Sequence, residues 1–147
     1  MTQSRQIPLS QDAAFVVALA ATAMPFAQSA EDEAECWLRV TRLHGQLGRT
    51  LQALGVGEAP LMTGSREPEA PRRTPPLGAA VADELSCRAR HFAAARGGEV
   101  VGTADLLFAL LDVYGRLFER ALYLRGTSRE ELIERLAQIE DASARGF

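Results

Sequence analysis

Lysine and asparagine are absent from this 147-residue chain, and all 16 of its basic residues are arginine. A chain without lysine cannot form a P-loop by itself, because that motif places a lysine amine on the nucleotide phosphates. The two absences are otherwise read as coding bias and assign no function. Histidine is scarce: His44 and His91 stand apart, and neither has a neighbouring set of ligand-type residues, so no metal site and no cofactor are expected. The two cysteines, Cys36 and Cys87, each fall inside an apolar-periodic segment and are predicted to be buried free thiols, which fits a reducing, cytoplasmic compartment. Cys87 has His91 one helical turn later, yet no orienting acid or oxyanion-hole motif accompanies them. No catalytic residue is assigned, and the chain is read as a non-enzyme.

Charge of one sign is also lacking. The net charge is -3 and the isoelectric point near 5.4, with arginines interspersed among acids, whereas general nucleic-acid binding needs a basic stripe to neutralise phosphates. The local run Arg88, Arg90, His91 and Arg96 reads as a solvated helix face, since Asp83 and Glu84 lie one turn away. The competing reading is a small helical DNA-binding regulator. Aromatic residues make up 6% of the chain against 47% apolar residues in all, so the core is expected to be built mainly from Leu, Val and Ala. The apolar run from Ala13 to Ala27 is bordered by Asp12, interrupted by Pro25 and too short to span a bilayer as a helix. It reads as a buried first helix. The alternative is the h-region of a cleaved signal, with Arg5 before it, which would make a secreted or periplasmic helical protein.

What is present is helical periodicity. Residues 1–10 carry Pro8 and no period, and read as a flexible leader. Ser10 or Asp12 can cap a helix with Phe15, Leu19, Thr22 and Ala23 on its inward face, which Pro25 ends or bends. Ser29 or Asp32 can cap a second helix with an acidic first turn, carrying Trp37, Leu38 and Val40 inward. Gly45 and Gly48 mark a turn, followed by a short stripe of Leu47, Leu51 and Leu54 ending at Gly55. Residues 57–76 hold five of the seven prolines and read as a linker. Val81, Leu85, Ala89 and Phe92 then share a face, and Gly97-Gly98 stop that helix. Thr103 is the predicted N-cap of the next, with Asp105 in its first turn and Leu106, Leu107, Leu110, Leu111 and Tyr114 inward. After Gly115 come Leu117, Phe118, Ala121 and Leu122. Ser128 to Glu131 form a capping box before Leu132, Leu136 and Ile139.

Offsetting the chain by 70 residues pairs Ala34 with Ala104, Glu35 with Asp105, Leu38 with Phe108, Gly45 with Gly115 and Leu47 with Leu117; one insertion later, Leu51 meets Leu122 and Gly55 meets Gly126. Glycines recurring at matched turns inside matched apolar frames indicate a duplication. The expectation is a single all-α domain over 11–145, with repeat one at 11–56, the linker at 57–76 and repeat two at 77–140, each unit covering the apolar face of the other.

The segments VGTADLLFALL (Val101 to Leu111) and LQALGV (Leu51 to Val56) carry a resemblance to the N-terminal domain of Clp-type AAA+ unfoldases. It extends from about Ser10 to Ile139. The resemblance implies a pseudo-twofold all-α domain, here without ATPase modules, that docks proteins: an adaptor, regulator or decoy whose partner is a Clp ATPase, its substrate or another protein or peptide, with neither nucleic acid nor membrane expected. Family members that recognise phosphoarginine carry a glutamate in a G-T-E-H box of each repeat. Here the boxes read Gly102-Thr103-Ala104-Asp105 and Asp32-Glu33-Ala34-Glu35, with alanine at both glutamate positions. The resemblance therefore places a protein-binding surface at Ala34, Glu35, Thr103, Ala104 and Asp105, taking an unmodified peptide or helix by apolar burial, with Glu33, Glu35 and Asp105 drawing basic flanks.

Overall fold

In a computed structural model of the protein, the described residues are 7–57, 75–78 and 80–145, with side chains described as far as residue 138. Residues 1–6 of the leader, 58–74 of the linker and the Ile139 side chain lie outside the described residues. The fold is all-α. Among the described residues seven α-helices follow one another: α1 (Gln11–Ala23), α2 (Ala30–Thr41), α3 (Gly45–Ala53), α4 (Val81–Ala95), α5 (Thr103–Tyr114), α6 (Arg116–Leu124) and α7 (Arg129–Arg145). A single 3-10 turn, Met24–Phe26, follows α1 where Pro25 ends regular α-helix.

Several ends follow from side chains that satisfy the free amides of a first turn. Ser10 accepts from Ala13 N at 3.0 Å, Ser29 from Asp32 N at 3.1 Å, and Ser128 from Glu131 N at 3.1 Å. The cap of α5 differs from the sequence expectation. Gly102 is the N-cap and Thr103 the first helical residue, while the Asp105 carboxylate accepts from Gly102 N at 2.9 Å. Thr103 is needed elsewhere: its hydroxyl accepts from Leu47 N at 3.0 Å and so fixes the start of α3. Gly45 makes that contact possible, because a Cβ there would stand 2.8 Å from the Thr103 side chain and its φ is +68°. Gly48 is not a turn residue. It lies inside α3, where a Cβ would meet the carbonyl oxygens of Thr41 and Arg42 at 2.9 Å, so its smallness lets α3 fold back on the end of α2.

Packing crosses between the two halves. α4 lies along α5 and α1 along α2, while α2 packs on α6 and α3 on α5 and α7. The second helix of each half thus meets the third helix of the other. The helices before the linker have 13, 12 and 9 residues, and those from α4 to α6 have 15, 12 and 9. Gly45, Gly55, Gly115 and Gly126, paired by the sequence offset, all have positive φ. Among the described residues α7 has no counterpart before the linker.

The core is aliphatic around one indole: Trp37, Leu38, Leu47, Leu51, Leu85, Leu106, Leu107, Leu110, Phe118 and Leu122 are all buried. Three expectations are corrected. Residues 7–10 are no loose leader, since Val101 N donates to Pro8 O and Ser10 N to Val101 O, both at 2.8 Å. Cys87 is exposed, and only Cys36 is buried. The inward face of α1 is Ala13, Val16 and Ala20; Phe15 and Leu19 are 52% and 40% exposed. The small residues turn inward, and the large ones are left in solvent. Among the described residues no helix is long and apolar enough to cross a membrane.

Candidate functional site

The expected binding residues sit at the starts of α2 and α5, and most of them face inward. Ala34, Thr103 and Asp105 are buried, while Glu35 and Ala104 are partly exposed. Their acids are engaged within the protein. Asp105 receives Arg96 through two nitrogens, Nε at 2.8 Å and Nη2 at 2.5 Å. Glu35 holds Arg125 Nη2 at 2.5 Å. Glu33, fully buried, accepts from Leu77 N at 3.0 Å, Gly78 N at 2.9 Å and the Tyr114 hydroxyl at 3.0 Å.

These contacts make a polar seam between the halves. Arg125 is 2% exposed and spreads its guanidinium over Glu35, the Ala121 carbonyl and the Gly57 carbonyl. One buried charge therefore grips the chain where it enters residues 58–74, and the other, Glu33, grips it where it returns. A buried ion survives only when its hydrogen-bonding capacity is filled, which both ions achieve by capturing backbone. Burial raises the Tyr114 hydroxyl far above the ordinary tyrosine value, and the neighbouring Glu33 carboxylate raises it further, so the phenol remains a donor at any physiological pH. The Trp37 indole N–H is the only buried side-chain polar atom without a hydrogen-bond partner among the described residues. Burial likewise raises the Cys36 thiol and keeps it protonated.

The basic run on α4 is also engaged. Arg88 binds Glu84 at 2.7 Å and Asp112 on α5, Arg90 donates to Ile7 O at 3.0 Å, and Arg96 holds Asp105. Hydrogen bonds to Glu84 and then Asp112 push Arg88 still further toward its protonated form. Among the described residues no three His, Cys, Asp or Glu side chains converge where a metal ion could sit.

One surface left open is the outer side of α1. Phe15, Leu19 and Ala23 follow one another at four-residue spacing, and Phe26, 81% exposed, continues from the 3-10 turn. Phe15 stands edge-on to His44 with ring centroids 4.8 Å apart, at the turn that also exposes Leu43. At its far end the strip enters a cleft of about 340 Å³ lined by Ala23, Phe26 and Ala27 on one side and Asp32, Glu35, Cys36 and Arg39 of α2 on the other. Of the five residues expected to bind, Glu35 is the one that lines it. The sequence offered a signal for this strip: α1 is apolar around its whole circumference, so a helix packed on one side only must expose apolar surface on the other.

No protein-family model matches the chain, and no curated protein matches it in sequence. The resemblance to Clp N-terminal domains rests on the residues quoted above.

Proposed function

We propose that the chain is a non-catalytic protein-binding domain of the Clp N-terminal kind, and that it docks an apolar peptide or helix along the outer side of α1 and into the adjoining cleft. The observation that carries this reading is the row of large apolar side chains turned to solvent, Phe15 and Leu19 on α1 and Phe26 in the 3-10 turn that follows it, while the smaller Ala13, Val16 and Ala20 face the core. Exposed apolar surface that is contiguous and rimmed by polar groups marks an interaction site.

Its size selects the occupant. With aromatic side chains offering about 150–250 Å² each, the exposed parts of Phe15, Leu19 and Phe26 amount to roughly 200–400 Å². A stable protein pair needs about 800 Å² per partner, so the strip suits one helix or one extended segment. Asp32 and Arg39 at the cleft leave room for either sign of flanking charge. The reciprocal packing of α2 on α6 and α5 on α3, with matched helix lengths and glycine turns, supports a duplicated unit, and duplication with an all-α fold supports the Clp-type reading. Docking to a Clp ATPase, one of its substrates or another cytoplasmic partner all use the same strip.

The test is selection of a random-peptide display library on the full chain and on a Phe15→Asp, Leu19→Asp, Phe26→Asp variant. The proposal expects peptides rich in Leu, Ile and Phe on the wild type and their loss on the variant. Enrichment of the same peptides on both proteins would refute it.

A further inference from the structure

A second surface, on the opposite half of the chain, has a different chemistry. α6 is sharply two-sided: Phe118, Ala121 and Leu122 are buried, while Arg116, Arg120 and Tyr123 point outward. Where α6 ends and α7 begins, these outward residues and Arg129 surround an open groove of about 510 Å³ floored by Leu117. We propose that this groove binds an acidic segment of a protein partner, which seats an apolar side chain between Leu117 and Tyr123 and sets its carboxylates against Arg116 and Arg129.

Four observations lead there. The side chains are those that dominate binding energy at protein interfaces, tyrosine and arginine, gathered from α6 and the start of α7 over residues 116–129. Tyr123 is 66% exposed, so its ring offers a large face to a partner at low conformational cost. The groove carries three guanidinium groups and two carboxylates, Glu119 and Glu130, a local positive excess on a chain whose net charge is -3. Finally, the cations differ in commitment. Arg120 already has a partner within the protein, whereas Arg129 meets Glu119 at 3.4 Å with both side chains more than 40% exposed. An exposed pair of that length is worth about 0–1 kcal/mol, so an incoming carboxylate can replace it.

The same features favour an acidic protein segment over a nucleic acid. Phosphate backbones are held by stripes of several unopposed cations, while this cluster is one groove wide and interrupted by Glu119 and Glu130. Steering by such a patch is electrostatic and weakens with salt, because screening acts within about 10 Å at 0.1 M.

The proposal is independent of the α1 strip, and one experiment separates them. The random-peptide display library is selected on the full chain, on an Arg116→Glu, Tyr123→Ala, Arg129→Glu variant and on the α1 triple variant. The expected result is a family of peptides combining Asp and Glu with one aromatic or Leu residue, retained by the α1 variant and absent from the groove variant. An individual peptide of that family should lose at least about tenfold in affinity for the groove variant, about 1.4 kcal/mol, and should weaken with added salt. Circular dichroism checks that the variant is folded, and Tyr123→Ala alone serves if the triple change is not. Absence of an acidic family, its survival on the folded groove variant, or binding of a random duplex oligonucleotide abolished by the same changes would overturn the proposal.

Discussion

α1 and α5 are both strongly apolar helices of nearly equal length, yet they have opposite fates. α5 is enclosed by α4, α3 and α6, and Leu106, Leu107, Ala109 and Leu110 are fully buried around much of its circumference. α1 rests on α2 with lighter contacts to α4 and α5, and leaves Phe15 and Leu19 in water. Composition tells that a helix has apolar surface to bury; the number of neighbours decides how much of it the fold itself covers. In α5 the fold covers nearly everything. In α1 it covers a strip of small residues, and the uncovered remainder is what we assign to a partner.

The polar ties deepen the contrast. Tyr114, the last residue of α5, is bound to Glu33 of α2, and Thr103, its first, is bound to the backbone of α3. Both ends of α5 are thus bonded to the other half of the molecule. Among the described residues no α1 side chain makes a comparable tie to the second half; the anchor is the segment before it, where residues 8–10 bridge to Val101 through backbone and Arg90 donates to Ile7 O.

Removing the tie at the end of α5 should have the largest effect. Glu33→Ala strands two backbone amides and the Tyr114 hydroxyl, at about 1–3 kcal/mol for each buried unsatisfied group, so urea unfolding should show a loss of at least about 3 kcal/mol. A loss below about 1 kcal/mol would mean that water replaces the carboxylate and the seam is not closed. Next come the helices themselves. Leu107→Ala or Leu110→Ala should each cost about 2–5 kcal/mol, whereas Phe15→Ala and Leu19→Ala should stay within about 1 kcal/mol. Equal losses on the two helices would erase the distinction between them.

A smaller effect concerns pH. The Tyr114 pKa is raised in the folded protein, so its contribution is complete below the ordinary tyrosine value of about 10 and is lost as pH rises from there toward the folded value. Stability should therefore fall above pH 10, and Tyr114→Phe, less stable near neutrality, should show a shallower alkaline decline. An identical alkaline slope in both proteins would remove Tyr114 from that account. The smallest perturbation is chemical. Cys87 should react with a thiol reagent in the native protein, and Cys36, buried and held protonated, only on unfolding. Equal rates for the two thiols would place α2 closer to the surface than described.

Much of the helical framework is legible in the sequence because caps and stops are local chemistry. Ser10, Ser29 and Ser128 announce their helices, and Pro25 and Gly115 end theirs, without reference to anything distant. The facing of α1 is not legible in the same way. In a helix apolar all round, Phe15 with Leu19 and Ala13 with Val16 and Ala20 are equally well spaced, and only contact with α2 decides between them. The wide inward face of α5 had no such rival. Thr103 has the chemistry of a cap and serves a neighbour, because Gly45 brings α3 within reach of its hydroxyl. The seam is hard to read from the sequence for another reason. Glu33 is expected from the sequence to draw a partner's basic flanks, and Arg125 has no sequence-based role; yet Glu33 stands four residues before Trp37, and Arg125 follows Ala121 at the same spacing, both in phase with apolar faces. A charge in the apolar phase of a helix was the available signal that a buried ion joins the halves.

The central claim is that the large residues of α1 serve a partner and not the core. Its most direct test is calorimetric titration of one peptide enriched on the wild-type chain against the Phe15→Asp, Leu19→Asp, Phe26→Asp variant, with the urea midpoint of each protein recorded. The account predicts a variant that stays folded within about 1 kcal/mol of wild type and loses at least about tenfold in affinity. Unchanged affinity in a folded variant, or a variant that no longer folds, would contradict it.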